Sequence, residues 1–341
     1  MPENMNEFAA KVLAYLPSDK DKEIQIFPHA RVDGDCVGTA VALASSLIKM
    51  GYRAKVIVDW PIPGNLSFLN VPQNLVTIVR DSNEKEIMGR QGLAFAVDCS
   101  EGSRMGKAQP VFDSAEKKVV LDHHVSSSPA SELSYVDGKS ASCAELMYLF
   151  LRQWEEATKL TLVERFEANC LMVGIQSDSG RFSYENTRPS TFRTAAELME
   201  RGANVTDNAY HLFDETCEGK VRLHALALSG MKLYAEGRIA VTKITKKMMD
   251  ETQAPEGAAD GIVNVLRDID TVLASFVIRE TESNELRVNC RTKVGFDAAE
   301  FAQIMGGGGH HRAAGFSGKN MDIDAFAEKV VAEACAFLER T

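Results

Sequence analysis

The sequence has no apolar run of the roughly 18 residues that a membrane-spanning helix needs, so we expect no membrane partner. The N-terminal stretch MPENMNEFAAKVLAYL carries acidic residues and a lysine, and it predicts an amphipathic helix rather than a secretory signal peptide. The 7 cysteines are scattered and include no Cys-x-x-Cys pair. This pattern disfavours a disulfide framework and a structural zinc site, and it predicts reduced thiols in a cytoplasmic protein.

The sequence also lacks an excess of basic residues. It has 38 lysines and arginines against 48 aspartates and glutamates, which gives a formal net charge of −10. A chain of this charge repels long nucleic acids unless it carries a local basic patch. We therefore exclude long duplex nucleic acid as a partner, and we expect any phosphate-binding site to be confined and locally positive.

The 341 residues are enough for two domains. In the first part, near-continuous apolar strands alternate with helices, which is typical of a doubly wound parallel sheet in an α/β domain. We predict this domain at residues 1–200. Its predicted strands are 23–28, 53–60, 75–79, 92–100 and 117–127, and its predicted helices are 35–50, 141–157, 161–175 and 189–202.

The second part of the chain has a different pattern. Residues 201–224 are polar and predict a connector, and residues 225–341 predict a smaller α/β domain. Hairpin-like spacing of its strands favours a mixed sheet. The predicted strands are 231–237, 239–245, 271–280 and 285–292, and the predicted helices are 246–252, 259–266, 297–304 and 322–339. A glycine-rich stretch at 305–315 lies among them.

Titratable residues recur where the predicted strands of the first domain end. His29 follows the first strand, Asp98 ends a later one, and the triplet Asp122–His124 ends the next. Because ligands of parallel sheets bind beyond the carboxyl ends of the strands, these side chains are expected at one edge. A lone aspartate there is usually a cap or turn former. However, 5 of the 7 histidines lie in just three motifs, namely His29, the pair His123–His124 and the pair His310–His311, and three of these five lie at predicted strand ends beside aspartates, so the combination favours a functional site.

The charges of this edge predict a two-metal centre. Four converging carboxylates, those of Asp33, Asp35, Asp98 and Asp178, would raise one another's pKa values unless cations were present. Two divalent ions balance their charge of −4. Imidazole among the ligands disfavours Mg²⁺, so Mn²⁺ is our prediction, with Co²⁺ or Fe²⁺ as alternatives. Two ions about 3.5–4 Å apart would activate water and hold a phosphoryl group for in-line attack. We interpret the neighbouring Cys36 as a packing residue.

These motifs resemble those of the DHH phosphoesterase superfamily. The motifs are H-x-x-x-D-G-D at 29–35, the aspartate at 98, D-H-H at 122–124, D-S-G-R-F at 178–182, and GGGGHHRAAG at 306–315, which resembles the DHH-associated domain. In its length, the chain is similar to members of the stand-alone nanoRNase (oligoribonuclease)/pAp-phosphatase and di-adenylate phosphodiesterase branch. The resemblance implies an active site in the cleft between the two domains.

The resemblance also implies roles for individual residues. One metal would be held by His29, Asp33 and Asp98, and the other by Asp35, Asp98, His123 and Asp178. Asp98 would bridge the two ions, Asp122 would orient an imidazole, and His124 would contact the substrate phosphate or assist the leaving group. Arg291 and His310 would bind substrate, and the backbone N–H groups of Gly307, Gly308 and Gly309 would form an anion nest. His311 and Arg312 would either add positive charge or face solvent.

The predicted function is that of an Mn²⁺-dependent phosphodiesterase or phosphatase. It would hydrolyse short oligoribonucleotides, pAp, or linear or cyclic di-adenylates, without an organic cofactor. Three alternatives stay open, namely an exopolyphosphatase or inorganic pyrophosphatase-like hydrolase, a RecJ-like single-strand exonuclease, and a non-catalytic nucleotide-binding module. The sequence does not rank the substrates, and it leaves a homodimer open.

Overall fold

The computed structural model describes residues 4–124, 131, 133–281, 285–319 and 321–340. The chain divides into two compact units, unit 1 (Met1–Glu215) and unit 2 (Thr216–Thr341). The division falls inside the segment 201–224 that the sequence predicted as a connector. That segment is largely helical, while the predicted domain ranges remain predictions.

Unit 1 contains a six-stranded sheet in the order β3-β2-β1-β4-β5-β6, and every strand pair is parallel. The strands are β1 (Glu23–Phe27), β2 (Arg53–Val58), β3 (Val76–Ile78), β4 (Gln91–Val97), β5 (Lys118–Asp122) and β6 (Ser134–Val136). The helices are α1 (Met5–Tyr15), α2 (Gly34–Lys49), α3 (Glu84–Arg90), α4 (Gln109–Asp113), α5 (Cys143–Thr158), α6 (Arg165–Asp178), α7 (Pro189–Glu200) and α8 (Val205–Ala209).

Helices cover both faces of this sheet, which confirms the doubly wound α/β prediction. Along β1, Ile24 and Ile26 pack into a core with α1, α2, α5 and α6, whereas Phe27 packs into a second core on the opposite face. The strand order reverses between β1 and β4, and ligands of open α/β sheets bind at such a point. The predicted strand 117–127 is shorter as β5, and residues 125–127 lie outside the described part of the chain.

Helices α2 and α6 pack so closely that their backbones are nearly in contact. A Cβ atom added at Gly174 of α6 would lie 2.7 Å from Asp35 Oδ1, and one added at Gly38 of α2 would overlap the carbonyl oxygen of Cys170. Any side chain at these positions would push the helices apart. The close approach holds Asp35, near the start of α2, beside Asp178, which is the last residue of α6. The sequence predicted that this helix ends at 175.

Unit 2 contains a mixed six-stranded sheet in the order β11-β12-β10-β9-β8-β7. β8 and β9 are parallel and the other pairs are antiparallel, which confirms the mixed-sheet prediction. The strands are β7 (Lys232–Tyr234), β8 (Ile239–Ile244), β9 (Ala274–Glu280), β10 (Glu285–Thr292), β11 (Gly308–His310) and β12 (Ala313–Lys319). The helices are α9 (Glu218–Ser229), α10 (Lys246–Thr252), α11 (Ile262–Asp268), α12 (Ala298–Ile304) and α13 (Ile323–Leu338).

The two faces of the unit 2 sheet are covered by different helices. Phe276, Val288 and Phe316 pack with α12 and α13, whereas Val277 packs on the opposite face with α9, α10 and α11. The glycine-rich stretch forms a hairpin, because β11 and the first residues of β12 pair in antiparallel register. The predicted strand 231–237 ends early at Tyr234, since the next three residues have positive φ and form a turn.

Two features bear on the compartment predictions. In the part of the chain that the structure describes, none of the helices has the length and apolar character needed to cross a membrane. The 7 cysteines, which all fall in described segments, are free thiols, and Cys36, Cys99, Cys143, Cys170 and Cys290 are buried.

Candidate metal centre

The structure brings all six predicted metal ligands together in unit 1. Their ligand atoms form three groups in which the atoms lie within 4.8 Å of one another. The groups are His29, Asp33, Cys36 and Asp98; Asp98, His123 and His124; and Asp35, His123 and Asp178. The residues are therefore placed where metal ligands would have to be, while their assignment as ligands remains a prediction.

Asp98 connects the groups. Its Oδ2 lies 3.3 Å from His29 Nε2, and its Oδ1 lies 3.4 Å from His123 Nε2. These contacts lack hydrogen-bond geometry, so Asp98 Oδ1 and His123 Nε2 are buried polar atoms without a hydrogen-bond partner among the described residues. Such atoms are rare in folded proteins and call for a missing partner such as an ion. A carboxylate that faces a group with each oxygen is suited to bridge two cations.

The backbone at Asp98 is also unusual. The residue directly follows β4 and has φ of 54°, in the left-handed region that residues other than glycine seldom occupy. Its N–H donates to the carbonyl of Leu121 on the neighbouring strand at 3.0 Å. Residues held in such conformations cluster at functional sites, where the surrounding structure fixes them. Here the turn directs the carboxylate back toward the histidines.

Asp33 has two separate roles for its two oxygens. Oδ1 accepts the N–H groups of Asp35 and Cys36 at 3.1 Å each and so caps the N-terminus of α2. Oδ2 lies 3.4 Å from His29 Nε2. The spacing of H-x-x-x-D-G-D therefore has a physical reason, because one carboxylate both starts the helix and faces the histidine.

Asp35 is fully buried, and its carboxylate faces the N-terminus of α5. Its Oδ2 accepts the N–H of Cys143 at 2.7 Å, and its Oδ1 accepts the N–H of Ala144 at 2.9 Å. Burial and the neighbouring carboxylates of Asp98 and Asp178 nevertheless raise the pKa of Asp35 well above its usual range. The N-terminus of α5 thus offsets only part of the repulsion, and a cation would relieve the rest.

Asp122 fixes the turn that carries the two histidines. Its Oδ1 accepts the N–H groups of His123 and His124 at 2.7 and 3.0 Å, and its Oδ2 accepts the N–H of Ser100 at 2.6 Å. Asp122 Oδ1 also lies 2.9 Å from Nδ1 of His124. The carboxylate therefore orients the ring of His124, and no contact of its Nε2 is found among the residues that the structure describes.

The two histidine rings have different surroundings. His123 Nδ1 lies 3.4 Å from the carbonyl oxygen of Ser140, which directs its Nε2 toward Asp178 Oδ2 at 3.1 Å. The side chain of His123 is 12% exposed and that of His124 is 43% exposed. Only His124 is open enough to reach a substrate group while His123 stays among the carboxylates.

The electrostatics of the cluster favour added positive charge. Burial opposes protonation of His29, but the carboxylates of Asp33 and Asp98 outweigh it and raise the pKa of His29 strongly. Burial likewise opposes protonation of His123, and Asp178 and Asp98 outweigh it and raise the pKa of His123 to about 11. Carboxylates mixed with imidazoles fit a divalent transition metal.

The glycine hairpin of unit 2 corrects one prediction. The backbone N–H of Gly307 donates to the carbonyl of Ala302 at 2.7 Å, so it does not contribute to an anion nest. Gly308 and Gly309 belong to β11 and pair with β12. A Cβ atom at Gly307 would lie 2.5 Å from Phe316 Cβ, so this glycine allows a close approach of the two strands.

The cationic residues that the sequence analysis named in unit 2 differ in exposure, and their substrate contacts remain predictions. Arg291 on β10 is half-buried, whereas His310 and Arg312 are exposed. Both arginines donate through Nη1 to backbone carbonyls, Arg291 to that of Cys290 at 3.0 Å and Arg312 to that of Lys293 at 2.5 Å. His311 lies with Nδ1 2.5 Å from Asp297 Oδ2, next to the cap of α12.

Two parts of the site were missing from the sequence analysis. The first is the N-terminus of α5, whose signal was the capping pattern Ser142-x-x-Glu145, and Ser142 Oγ indeed accepts the N–H of Glu145 at 3.1 Å. The second is the thiol of Cys36, which the sequence analysis interpreted as packing and which lies among His29, Asp33 and Asp98.

Comparisons with known proteins agree with this geometry. Residues 23–175 match the family model "DHH family, N-terminal domain", and residues 236–340 match the "DHHA1 domain" model. The chain belongs to the DHH superfamily. The DHH match contains every candidate metal ligand except Asp178, and the DHHA1 match contains Arg291 and the glycine hairpin.

Curated relatives of this DHH protein indicate to which branch of the superfamily it is most similar. The chain is 27% identical to the bifunctional oligoribonuclease and PAP phosphatase NrnA of Thermus thermophilus. The match covers 90% of this chain and 88% of that protein. It is 26% identical over 85% of its length to 87% of the protein of that name from Bacillus subtilis. These similarities place the chain in the nanoRNase/pAp-phosphatase branch of the DHH superfamily.

A solved structure supports the fold. An exopolyphosphatase-related protein from Bacteroides fragilis superposes with a TM-score of 0.82 at 21% sequence identity, covering 97% of each chain. Since the identity is low, this likeness concerns the DHH fold alone.

The predicted bridging role of Asp98 leads to a first experimental prediction. Asp98→Asn should lower the bound metal below the about two equivalents of a binuclear centre and reduce turnover by at least about a hundredfold, because a neutral amide cannot bridge two cations. Asparagine tolerates the left-handed backbone better than most residues, so the fold should survive. Elemental analysis and turnover of the purified variant measure both effects.

The matched control for this experiment is Asp137→Asn. Asp137 also follows a strand of the same sheet, but it lies outside all three groups. Its metal content and turnover should equal those of the wild type. Two metal equivalents with normal turnover in Asp98→Asn would contradict the bridging assignment.

The raised histidine pKa values lead to a second prediction. The neighbouring carboxylates outweigh burial, raise the pKa of His29 and raise that of His123 to about 11, which favours protonated rings, whereas metals bind neutral imidazole. Mn²⁺ loading should therefore release protons at pH 7, and metal affinity should rise with pH. Titration calorimetry in buffers of different ionisation enthalpy counts the protons.

The control replaces a histidine outside the cluster. His224 lies in unit 2, where its Nε2 is 2.9 Å from the carbonyl oxygen of Ala258, so His224→Gln should leave the proton count unchanged. A binding enthalpy that does not depend on the buffer would show that no protons leave and would refute the prediction.

Proposed function

We propose that the protein is a metal-dependent phosphoesterase that hydrolyses short oligoribonucleotides, pAp, or linear or cyclic di-adenylates. The observation that carries the proposal is the position of Asp98, whose two carboxylate oxygens face His29 and His123 while Oδ1 and His123 Nε2 stay buried without hydrogen-bond partners. The relatives named as oligoribonucleases and PAP phosphatases support this substrate class.

The proposed cofactor is a pair of Mn²⁺ ions. His29, Asp33 and Asp98 would hold one ion, and Asp35, Asp98, His123 and Asp178 the other. When bound, the ions would stabilise charge on the phosphoryl group and activate water for attack. The mixture of carboxylates and imidazoles supports Mn²⁺ over Mg²⁺, which prefers oxygen ligands.

His124 is proposed as the residue that acts on the substrate. Asp122 and then Asp98 raise the pKa of His124 to about 9, so the ring carries a proton at neutral pH. Its Nδ1 is engaged by Asp122, and its exposed side leaves Nε2 available. In this position Nε2–H can donate to a phosphate oxygen or protonate the leaving oxygen, which is general acid catalysis.

Unit 2 is proposed to bind the substrate. Arg291 and His310 supply cationic or hydrogen-bonding groups in a chain whose net charge is −10. Such local cations hold an end of a short phosphate chain, whereas a long polyanion would need an extended basic surface. The proposed substrates are therefore about two to four nucleotides long or a mononucleotide such as pAp.

Substrate length gives a third prediction, which tests the proposed function. The kcat/KM should fall steeply along 5′-phosphorylated oligoribonucleotides from two to about twenty-four residues at one fixed salt concentration, because few phosphates find partners. The same assay should include pAp, di-adenylates, pyrophosphate and polyphosphate. Equal efficiency on the long members would favour an exonuclease, and preference for the inorganic substrates would favour a pyrophosphatase-like hydrolase.

The role of Arg291 gives a fourth prediction. Arg291→Ala should cost about 2–4 kcal/mol of transition-state stabilisation, the scale expected when a phosphate charge loses its partner. Arg291→Lys should recover part of the loss, since it keeps the charge without the bidentate geometry. Metal content should not change in either variant. A fall in metal content that parallels the loss of activity would assign Arg291 to the metal centre instead.

A further inference from the structure

Two arginines face each other across neighbouring strands of unit 2. Arg279 on β9 pairs directly with Arg287 on β10 in antiparallel register. Directly opposite residues leave the same face of a sheet, and like charges in such a pair are destabilising. A pair of this kind therefore calls for a compensating anion.

The described part of the chain supplies no carboxylate partner for either side chain. Arg279 Nε is buried and forms no hydrogen bond within those residues. The acidic residue two positions before Arg287 on the same strand is Glu285, and its carboxylate is already paired with Lys319 Nζ at 2.9 Å. The pair thus presents unpaired positive charge on this face.

A cavity of about 700 Å³ lies next to the two arginines, between them and the segment that contains α10. Three carboxylates also line it. Glu280 accepts the backbone N–H at the start of α10 at 2.7 Å. Asp250 and Glu256 are exposed and form no ion pair with Arg279 or Arg287 in the segments that the structure describes. The cavity therefore has room for a ligand beside free guanidinium groups.

The pair continues a polar stripe along β10. Leu286, Val288 and Cys290 are buried toward α12 and α13, so the alternate residues leave the opposite face. We call those residues, together with the facing arginine on β9, the β10 stripe: Arg287, Asn289, Arg291 and Arg279. The neighbouring strand β12 places only small residues opposite β10 on this face: Ser317, Gly315 and Ala313. The residues that border the stripe on that side therefore have short side chains or none.

We infer that the β10 stripe is a phosphate track that extends the substrate grip from Arg291 to a distal subsite at Arg287 and Arg279. This inference rests on the proposed function, in which Arg291 holds a phosphate of a short oligoribonucleotide. Guanidinium groups bind phosphate through paired, charge-assisted hydrogen bonds. Asn289 lies between the two cationic positions and can donate its amide to a sugar or phosphate oxygen.

The dimensions of the stripe set the length of the ligand. Residues four apart on an antiparallel strand are separated by about 13.6 Å, at 3.4 Å per residue. Side chains that stand perpendicular to the sheet keep their guanidinium groups at about the same separation, so one phosphate would contact both Arg291 and the distal pair only if the side chains bent toward each other. A mononucleotide held at Arg291 leaves the distal pair empty, whereas three or four nucleotides carry a further phosphate to it. The track therefore discriminates between oligonucleotides and pAp.

The test uses Arg287→Gln and Arg279→Gln, singly and together, in the full chain loaded with Mn²⁺. The kcat/KM is measured on pAp and on 5′-phosphorylated oligoribonucleotides of two to five residues at one salt concentration. In the double variant, the ratio of kcat/KM on the tetranucleotide to that on pAp should fall about tenfold. The control Lys329→Ala removes an exposed cation from α13, on the other face of the sheet, and should leave the ratio unchanged.

A second readout does not depend on turnover. Binding of a fluorescent, hydrolysis-resistant tetranucleotide is followed by anisotropy over a series of salt concentrations. The slope of log Kd against log salt should decrease by about 0.7 for each phosphate contact that is lost. If the wild type hydrolyses none of the substrates, the proposed function fails. The salt dependence of binding would still show whether the β10 stripe contacts phosphates.

Two outcomes would overturn the track. In the first, the double variant keeps the wild-type substrate ratio and salt slope. In the second, its kcat/KM falls by the same factor on pAp and on the tetranucleotide. That result would show that the arginines affect all substrates alike or only support the fold. Misfolding is not the expected complication, because replacing either arginine removes a like-charge contact. Thermal unfolding of each variant should therefore show a Tm no lower than that of the wild type.

Discussion

The repulsion among the carboxylates around Asp98 is the constraint on which the rest of unit 1 depends. Three of them, Asp35, Asp98 and Asp122, are buried, and every one of these three is held by backbone N–H groups, imidazoles or both. These contacts do not remove the repulsion, since the pKa of Asp35 stays well above its usual range. Divalent cations would relieve this repulsion. The geometry of the cluster and its charge both support a site for divalent metal ions.

The parallel sheet is what makes this convergence possible. Strands β1, β4 and β5 end at one edge, so three distant motifs of the sequence meet there. The helices contribute further predicted ligands, because glycines at 38 and 174 let α2 and α6 approach until the carboxylates of Asp35 and Asp178 both lie near His123. Packing and the proposed chemistry are therefore linked, since a side chain at either glycine would separate two predicted ligands that lie 143 residues apart in the sequence.

Much of this arrangement could be predicted from the sequence, for physical reasons that differ between elements. His29, Asp98 and the D-H-H triplet each end an apolar strand, and that local pattern was sufficient to place them at one edge. The left-handed backbone of Asp98 was not predictable, because it follows from the hydrogen bond to Leu121 on another strand. Strand β12 was missed because its residues, AAGFSGK, have low strand propensity and are held by pairing with β10.

The two units carry opposite local charge in a chain that is acidic as a whole. Unit 1 gathers carboxylates that need cations, and the β10 face of unit 2 gathers arginines that need anions. Under the proposed function, divalent ions would neutralise the carboxylates of unit 1, and phosphates of the substrate would neutralise the arginines of unit 2. Because the β10 stripe spans only five residues of β10, from Arg287 to Arg291, with Arg279 beside it on β9, the number of phosphates that it can neutralise is small. The proposed limit on substrate length would then follow from the dimensions of the stripe, and the acidic remainder of the chain would oppose anything longer.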